Sequence, residues 1–385
     1  MNKALLKQEN NNILKEEKIK NSNLKNSNQR MFGLDIIRTI AVILVFVTHA
    51  IAYKDVININ QLSFKWTIYM IIRFLAMACV PLFLLLTGYL NSKKEISKKY
   101  YKGIIPILIS YICISILEIV AMSIYNKTPI NIKTSIIKIL NFTANGYAWY
   151  FEMYIGLFLF IPFLNILYDH LNSKKEKFAL VFSLAFLTFI PQIVKSFKVG
   201  DMWLDITPDY WQIIYPITYF FIGKLIREYK PQLSMEKRIL LLIIALAIPC
   251  TFCYLYSTET QYAWYIFNGF EALTNAFTAI SIFLLFYDFE KKIPVIGNII
   301  TEISICSFEM YLFSSIWDKY LYSKYQYNMF IMLCLVIIAT YVSAKILIVV
   351  RDFILKKINN AWSLSHFFKI VGLKNNAFFV FLRWN

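Results

Sequence analysis

Histidine, glycine, cysteine and acidic side chains are all scarce in this chain. Its 385 residues include only three His, ten Gly, six Cys and 23 Asp and Glu. The glycines form no phosphate-binding loop. The cysteines lie in apolar runs, and the CxxC pair Cys250 and Cys253 has no second pair of ligands, so neither a disulfide framework nor a zinc site is predicted. We predict no metal site of any kind.

Apolar residues, in contrast, dominate the composition. Hydrophobic residues make up 58% of the chain and aromatic residues 17%, with a mean hydropathy of +0.55. These values are far from those of a soluble domain and typical of a polytopic membrane protein. The formal net charge of +17 comes largely from Lys and Arg in short segments between apolar runs. That arrangement indicates membrane topology rather than nucleic-acid binding, and the predicted partner is the lipid bilayer.

Windows of about 20 apolar residues predict an all-α, polytopic integral membrane protein with about ten transmembrane helices. With the N-terminus inside, 27 of the 40 Lys and Arg fall in inner segments and nine in outer loops. Because cytoplasmic loops carry an excess of Lys and Arg, both termini are predicted to be cytoplasmic. The predicted spans are 34–53, 66–90, 103–124, 147–168, 177–194, 209–227, 239–256, 264–286, 299–318 and 327–350.

The spans divide the chain into three parts. Residues 1–32 are polar and rich in Asn and Lys, which predicts a disordered basic cytoplasmic arm and no cleaved signal peptide. Residues 33–350 form the predicted membrane domain. Residues 351–385 mix Lys with Trp and Phe, the composition of a cytoplasmic tail that lies in the inner interface.

The first span carries three ionisable residues close to one face. Arg38 and His49 are eleven residues apart, which is about three helical turns and about 17 Å of rise, and Asp35 lies one turn before Arg38. Ionisable groups are costly in hydrocarbon, so those inside a span are usually retained for function. No other His lies in a predicted span, and we therefore predict a functional role for His49.

The predicted orientation places a polar layer in the outer half of the membrane. It would contain His49, Arg73, Glu118, Glu152 and Glu271, provided that their helices are neighbours. A purely structural ion pair between Arg73 and Glu152 is the alternative.

A second, cationic layer is predicted near the inner surface. It combines Arg38 with Lys102, Lys224 and Lys345, and it is suited to a phosphorylated anionic cofactor. The alternative for Lys224 and Lys345 is that they only extend to the lipid headgroups.

Several stretches of the sequence resemble a known family. The Arg38-x10-His49 spacing resembles the first helix of the integral-membrane acyltransferase 3 family, the O-acyltransferases that modify surface polysaccharides. Residues 73–90, RFLAMACVPLFLLLTGYL, resemble its second block, an Arg followed by VPLFF and a Ser-Gly or Thr-Gly pair. Weaker matches are WYF at 149–151, YFFIG at 219–223 and a late block ending in Tyr-Leu at 307–312.

This resemblance implies ten helices, acyl-CoA bound from the cytoplasm and an acceptor hydroxyl on a glycan or related molecule. Two departures matter. Many members carry His just before the Trp-Tyr block, where this chain has Tyr147 and Ala148. Many also carry His two residues after the late Tyr-Leu, where this chain has Ser314. Both departures place more weight on His49 and leave a substrate variant or an inactive relative open.

The resemblance also implies roles for the ionisable residues. The protein would transfer an acyl group from acetyl-CoA or another acyl-CoA to a surface polysaccharide or its precursor, with His49 as base or transient acyl carrier. Arg38 would bind the CoA phosphates or the thioester end, and Asp35 would hold its guanidinium in place. Arg73 would stabilise the oxyanion or bind an anionic acceptor.

Three residues near the outer surface complete the hypothesis. Glu152 would orient the imidazole of His49. Trp149 would stack on a sugar ring beside Tyr150, unless these two only form part of an aromatic belt at the outer interface.

Two other function classes stay open at this point. A transporter or flippase of glycan precursors would line its path with the same charges. A catalytically inactive membrane scaffold of the same fold would keep the helices without the chemistry. For the enzyme, we expect a multi-pass location in the plasma membrane, a glycan or lipid-linked sugar as acceptor, and envelope biosynthesis proteins as possible partners.

Overall fold

The computed structural model describes residues 30–53, 63–194, 198–199, 202–203, 209–257, 269–292, 294–325 and 328–361. A 3-10 helix, Asp209–Ile214, lies in this part of the chain, and two short strands, β1 (Lys198–Val199) and β2 (Met202–Trp203), pair antiparallel. The α-helices of the described residues are α1 (Phe32–Tyr53), α2 (Phe64–Ala76), α3 (Cys79–Asn91), α4 (Lys98–Lys102), α5 (Ile105–Asn126), α6 (Ile132–Leu140), α7 (Trp149–Asp169), α8 (Lys174–Val194), α9 (Tyr215–Tyr229), α10 (Met235–Tyr256), α11 (Leu273–Phe286), α12 (Pro294–Lys324) and α13 (Met329–Ala361).

The protein is an all-α polytopic membrane protein. Eight helical stretches of the described residues are long and apolar enough to cross a bilayer, with α2 and α3 counted as one stretch and α4 and α5 as another. Two of the ten predicted spans are shorter helices. Predicted span 209–227 starts as the 3-10 helix and becomes α-helical at Tyr215, and predicted span 264–286 is helical over Leu273–Phe286, with residues 264–268 outside the described part.

Predicted span 66–90 is interrupted at Met77 and Ala78, between α2 and α3. Pro81 accounts for the interruption because it has no backbone N–H to donate to the carbonyl of Met77, four residues earlier. The start of α2 is capped by Ser63, whose side chain accepts the N–H of Trp66 at 3.2 Å.

The interior of the molecule is formed by α1, α3, α9 and α12. α3 packs on α9 and on α1, and α1 packs on α12. α1 and α12 run parallel and in register, since Ser304 donates to Asp35 at 2.7 Å at one end and the ring of Tyr322 stacks on Tyr53 at 5.1 Å at the other. Each of these pairs is 269 residues apart in sequence, so chain order does not reveal the contact.

Two glycines allow α3 and α9 to meet backbone to backbone. A Cβ atom on Gly88 would lie 2.0 Å from the carbonyl oxygen of Phe220, and one on Gly223 would lie 2.2 Å from that of Leu85. Small residues at helix contacts permit this close approach in membranes. The Thr-Gly pair and the YFFIG segment therefore serve helix packing, which sets the position of Lys224 next to Gly223.

The last helix extends further than the predicted membrane domain. α13 continues to Ala361, so the predicted boundary at residue 350 falls inside a helix. The remainder of the predicted tail, 362–385, and most of the predicted arm, 1–29, lie outside the described residues.

Candidate active site

The imidazole of His49 lies beside a carboxylate from α12. His49 Nδ1 is 3.1 Å from Asp318 Oδ2, and the side chain of Asp318 is 1% exposed against 17% for His49. The atoms are within ion-pair distance, although the ring nitrogen is not aligned with the oxygen for a hydrogen bond. The parallel register of α1 and α12 brings the two residues together. A carboxylate beside Nδ1 favours the tautomer protonated there, which leaves Nε2 for chemistry.

Tyr147, in the turn before α7, completes this group. Its ring stacks on the imidazole of His49 with centroids 3.8 Å apart and 26° between the planes. Its hydroxyl donates to Asp318 Oδ2 at 3.0 Å. Tyr147 and Ala148 precede the Trp-Tyr block where many family members carry a histidine, so Tyr147 supplies a ring with a hydrogen-bond donor in that stretch.

Glu118 is close to this group and has partners of its own. Its side chain is 1% exposed and accepts hydrogen bonds from Ser315 Oγ at 2.7 Å and from Lys319 Nζ at 2.6 Å. Lys319 follows Asp318 directly in α12. The predicted polar layer is therefore organised around α12, through Asp318, Ser315 and Lys319, which were not predicted as site residues.

The carboxylate beside His49 is Asp318 and not Glu152, which corrects the expectation that Glu152 orients the imidazole. Glu152 is exposed in the first turn of α7. Arg73 is half-buried in the last turn of α2, a helix that packs against α1. Glu271 is half-buried in the turn before α11.

The two aromatic residues at the start of α7 differ in exposure. Trp149 is 41% exposed, and one face of its indole stacks on the ring of Phe270, with centroids 5.5 Å apart. Tyr150 is buried and packs edge-on against Tyr311, with centroids 5.8 Å apart. Only Trp149 offers an accessible ring surface.

Asp35 binds Arg30, which corrects the expectation that it holds Arg38. Arg30 donates to the two oxygens of Asp35 from Nε at 2.6 Å and from Nη2 at 2.7 Å, and Ser304 donates a third hydrogen bond at 2.7 Å. Arg38 is half-buried and forms no hydrogen bond or ion pair with any of the described residues. Arg30 falls in the predicted N-terminal arm, so the sequence did not indicate it as a partner of Asp35.

The side chain of Arg38 lines a cavity of about 270 Å³, called here the α1–α12 cavity. On α12 the cavity extends from Ser304 to Tyr311, about 10 Å along the helix axis. On α1 it extends to Val45, one turn before His49. The hydroxyl of Tyr311 donates to the carbonyl of Tyr147, so the end of the cavity adjoins the turn that contacts His49.

A larger cavity of about 920 Å³, called here the basic cavity, adjoins the same end of α3. Leu90 and Asn91 line the α1–α12 cavity, and the preceding Tyr89 lines the basic cavity. Three acidic residues, Glu95, Asp169 and Glu228, also line it. Its cationic residues are Lys93, Lys94, Lys177, Lys224, Arg227 and Lys230.

Of the three lysines predicted for an anion site, only Lys224 lines the basic cavity. Its side chain is 4% exposed, and its Nζ lies 2.8 Å from Asp169 Oδ1 and donates to Asn165 Oδ1 at 2.9 Å. Lys345 instead pairs with Glu302 at 2.7 Å, with both side chains over 40% exposed, and Lys102 is exposed on α4. The grouping of Lys102 and Lys345 with Lys224 was therefore wrong.

Two signals in the sequence could have identified residues that were missed. Asp318 ends the predicted span 299–318, which is predicted to run outward as the first span does, so it has nearly the same depth as His49. Arg227 follows Lys224 by three residues and shares its helix face. Neither signal says which helices are neighbours.

Comparison with known proteins identifies one family. The model of a family described as an acyltransferase domain matches residues 31–349. No curated protein and no solved structure matches this chain.

Proposed function

This chain belongs to the acyltransferase 3 family, and we propose that it moves an acyl group, acetyl in the first instance, from cytoplasmic acyl-CoA to a hydroxyl of a surface polysaccharide or its lipid-linked precursor. The family makes the protein a multi-pass membrane acyltransferase. The donor, the acceptor and a location in the plasma membrane beside envelope biosynthesis proteins are parts of the proposal.

The observation that carries the proposal is the contact of His49 with Asp318. Transfer of an acyl group to an alcohol needs a base for the hydroxyl proton, and a base is effective when a third group orients it. Asp318 Oδ2 lies 3.1 Å from Nδ1 and is buried, so it would stabilise the imidazolium that forms during the reaction. In this mechanism Nε2 removes the proton of the acceptor hydroxyl, and the oxygen attacks the thioester carbonyl. The C–S bond then breaks, and the CoA thiolate takes the proton.

The same geometry is compatible with His49 as transient acyl carrier. Nε2 would then attack the thioester first, and the acceptor hydroxyl would attack the acyl-imidazole. The two routes differ when no acceptor is present. An acyl carrier releases one CoA per protein in a burst, whereas a base releases none.

The two cavities support a donor that enters from the cytoplasm. The basic cavity has six cationic residues and three acidic ones, which suits the phosphates of CoA. The α1–α12 cavity would take the pantetheine arm, with the guanidinium of Arg38 on a phosphate or on the thioester oxygen. Arg38 lies about 17 Å from His49 along the axis, so an extended arm is needed to bridge them.

The acceptor would approach from the opposite side of the membrane. Arg73 is the candidate for the oxyanion or for an anionic acceptor, and Trp149 is the candidate for stacking on a sugar ring because it is 41% exposed. Tyr150 is buried and lines the α1–α12 cavity, so it belongs with the donor.

The test is transfer of radiolabelled acetyl from acetyl-CoA into glycan by inverted membrane vesicles. We expect label with the wild-type protein and none with His49→Ala at matched expression. His366 lies in the predicted tail, outside the predicted membrane domain, and supplies the control, so His366→Ala should retain transfer. Equal label with His49→Ala would contradict the role of His49, and absence of label with the wild-type protein would favour a transporter or an inactive scaffold.

A further inference from the structure

The turn that carries Tyr147 is fixed to α12 at three successive residues. Asn145 Nδ2 donates to the carbonyl of Leu312 at 3.0 Å, and the N–H of Gly146 donates to Ser315 Oγ at 3.2 Å. The carbonyl of Tyr147 accepts the hydroxyl of Tyr311. The turn therefore moves with α12, the helix that carries Asp318.

Glu118 fixes the direction of the hydrogen bond between Gly146 and Ser315. A serine hydroxyl has one proton, and Ser315 gives it to Glu118 at 2.7 Å. Its lone pairs are then free to accept the N–H of Gly146. The space is tight, since a Cβ atom on Gly146 would lie 3.3 Å from both Ser315 Oγ and Lys319 Nζ. The buried Glu118 therefore both pairs with the part-exposed Lys319 and orients the hydroxyl of Ser315.

The fixed turn lets Tyr147 act on both members of the candidate catalytic pair. Its ring covers one face of the imidazole at a centroid distance of 3.8 Å, and its hydroxyl holds Asp318 Oδ2 at 3.0 Å. Asp318 Oδ1 accepts no hydrogen bond from the described residues, so the Tyr147 hydroxyl is the directional contact of this carboxylate.

We propose that Tyr147 is a positioning residue for acyl transfer, which sets the plane of the His49 imidazole with its ring and the orientation of Asp318 with its hydroxyl. This inference rests on the proposed function. It assigns Tyr147 no contact with substrate. The α1–α12 cavity does not include Tyr147, so its replacement should change turnover and leave donor binding unchanged.

The experiment compares three substitutions of Tyr147. Tyr147→Phe keeps the ring and removes the hydroxyl, Tyr147→His keeps an aromatic ring and an N–H donor, and Tyr147→Leu removes both. We expect kcat to fall about tenfold in Tyr147→Phe and about 100-fold in Tyr147→Leu, with KM for acetyl-CoA unchanged. The kcat of Tyr147→His should be higher than that of Tyr147→Phe. A purely structural role predicts the reverse order, because Phe is the closer match in shape.

Tyr322→Phe is the matched control. Tyr322 lies one turn after Asp318 on α12, stacks on Tyr53, and has a hydroxyl without a hydrogen bond in the described part of the chain. Its kcat should equal that of the wild type. A wild-type kcat in Tyr147→Phe, or an equal loss in Tyr322→Phe, would overturn the positioning role.

A second readout does not depend on acyl transfer. The chain has three histidines, so the double replacement His170→Gln and His366→Gln leaves His49 as the one imidazole that diethyl pyrocarbonate can modify. In this background Tyr147→Leu should increase the modification rate several-fold, and Tyr147→Phe should not. Equal rates for parent and Tyr147→Leu would refute the inference even if acetyl-CoA is not the donor. Absence of wild-type transfer, in contrast, would count against the proposed function alone.

Discussion

A histidine is a more effective base when a neighbouring group fixes its tautomer and stabilises its charged form. For His49 the candidate neighbour is Asp318, 3.1 Å away and 1% exposed. Glu152, the carboxylate suggested by sequence, is exposed at the start of α7. Replacing the two carboxylates should therefore have different effects on kcat.

We predict that Asp318→Asn lowers kcat by at least about 100-fold, because the amide stabilises the imidazolium poorly and permits the wrong tautomer. Glu152→Gln serves as the isosteric control and should retain most of the activity. Acetyl transfer in membrane vesicles, normalised to the protein content, measures both. A larger loss with Glu152→Gln than with Asp318→Asn would contradict the assignment of Asp318.

Arg38 is the second residue with a testable role, in binding the acyl donor. It lines the α1–α12 cavity and forms no hydrogen bond or ion pair with the described residues, so its donor N–H groups are available to an anionic donor. We predict that Arg38→Gln raises KM for acetyl-CoA by about tenfold or more, the loss expected for one charged hydrogen bond. Lys345→Gln removes a charge that is paired with exposed Glu302 and should leave KM unchanged. Similar KM values for both variants would mean that Arg38 does not bind the donor.

At the scale of elements, the contact of α3 with α9 holds the two cavities in place. α3 ends between the cavities, and α9 supplies Lys224 and Arg227 to the basic cavity. The reciprocal glycines make the contact so close that no methyl group fits. A methyl group on either helix should therefore separate them.

We predict that Gly223→Ala destabilises the protein by about 1–3 kcal/mol through overpacking. A thermal unfolding series in detergent should show a lower Tm for this variant. Gly156→Ala is the control, because a Cβ atom there would have no neighbour within 4 Å. An unchanged Tm for Gly223→Ala would mean that the two helices can separate without a loss of unfolding free energy.

For the whole molecule, the proposed function has the donor and the acceptor approach from opposite sides of the membrane. The basic cavity and Arg38 lie toward the predicted cytoplasmic side, and His49 lies about 17 Å further along α1. This arrangement depends on the orientation that the Lys and Arg counts predict.

We predict that Lys133→Cys, on the exposed helix α6, reacts with a membrane-impermeant maleimide in intact cells. Lys99→Cys, exposed on α4, should react only after the membrane is opened. The native cysteines are controlled for by labelling the unsubstituted protein. The opposite labelling pattern would mean that the protein has the reverse orientation in the membrane. The predicted side of acyl-CoA entry would then be wrong.

The sequence by itself determined the fold class and the spans, and it predicted an orientation. Apolar length and the positions of Lys and Arg are local properties of a chain, and the bilayer acts on each segment separately. Eight long apolar helical stretches of the described residues confirm the all-α polytopic class, whereas two of the ten predicted spans are shorter helices and the orientation stays a prediction. The spacing of Arg38 and His49 was equally local, since it depends only on the geometry of one helix.

Only the tertiary structure decided which charges meet. Asp318 reaches His49, and Ser304 reaches Asp35, across 269 residues because α1 and α12 lie parallel and in register. Nothing in either helix taken alone specifies that register, which depends on the packing of all the helices between them. Helix packing likewise separates Lys102 and Lys345 from the basic cavity that Lys224 lines.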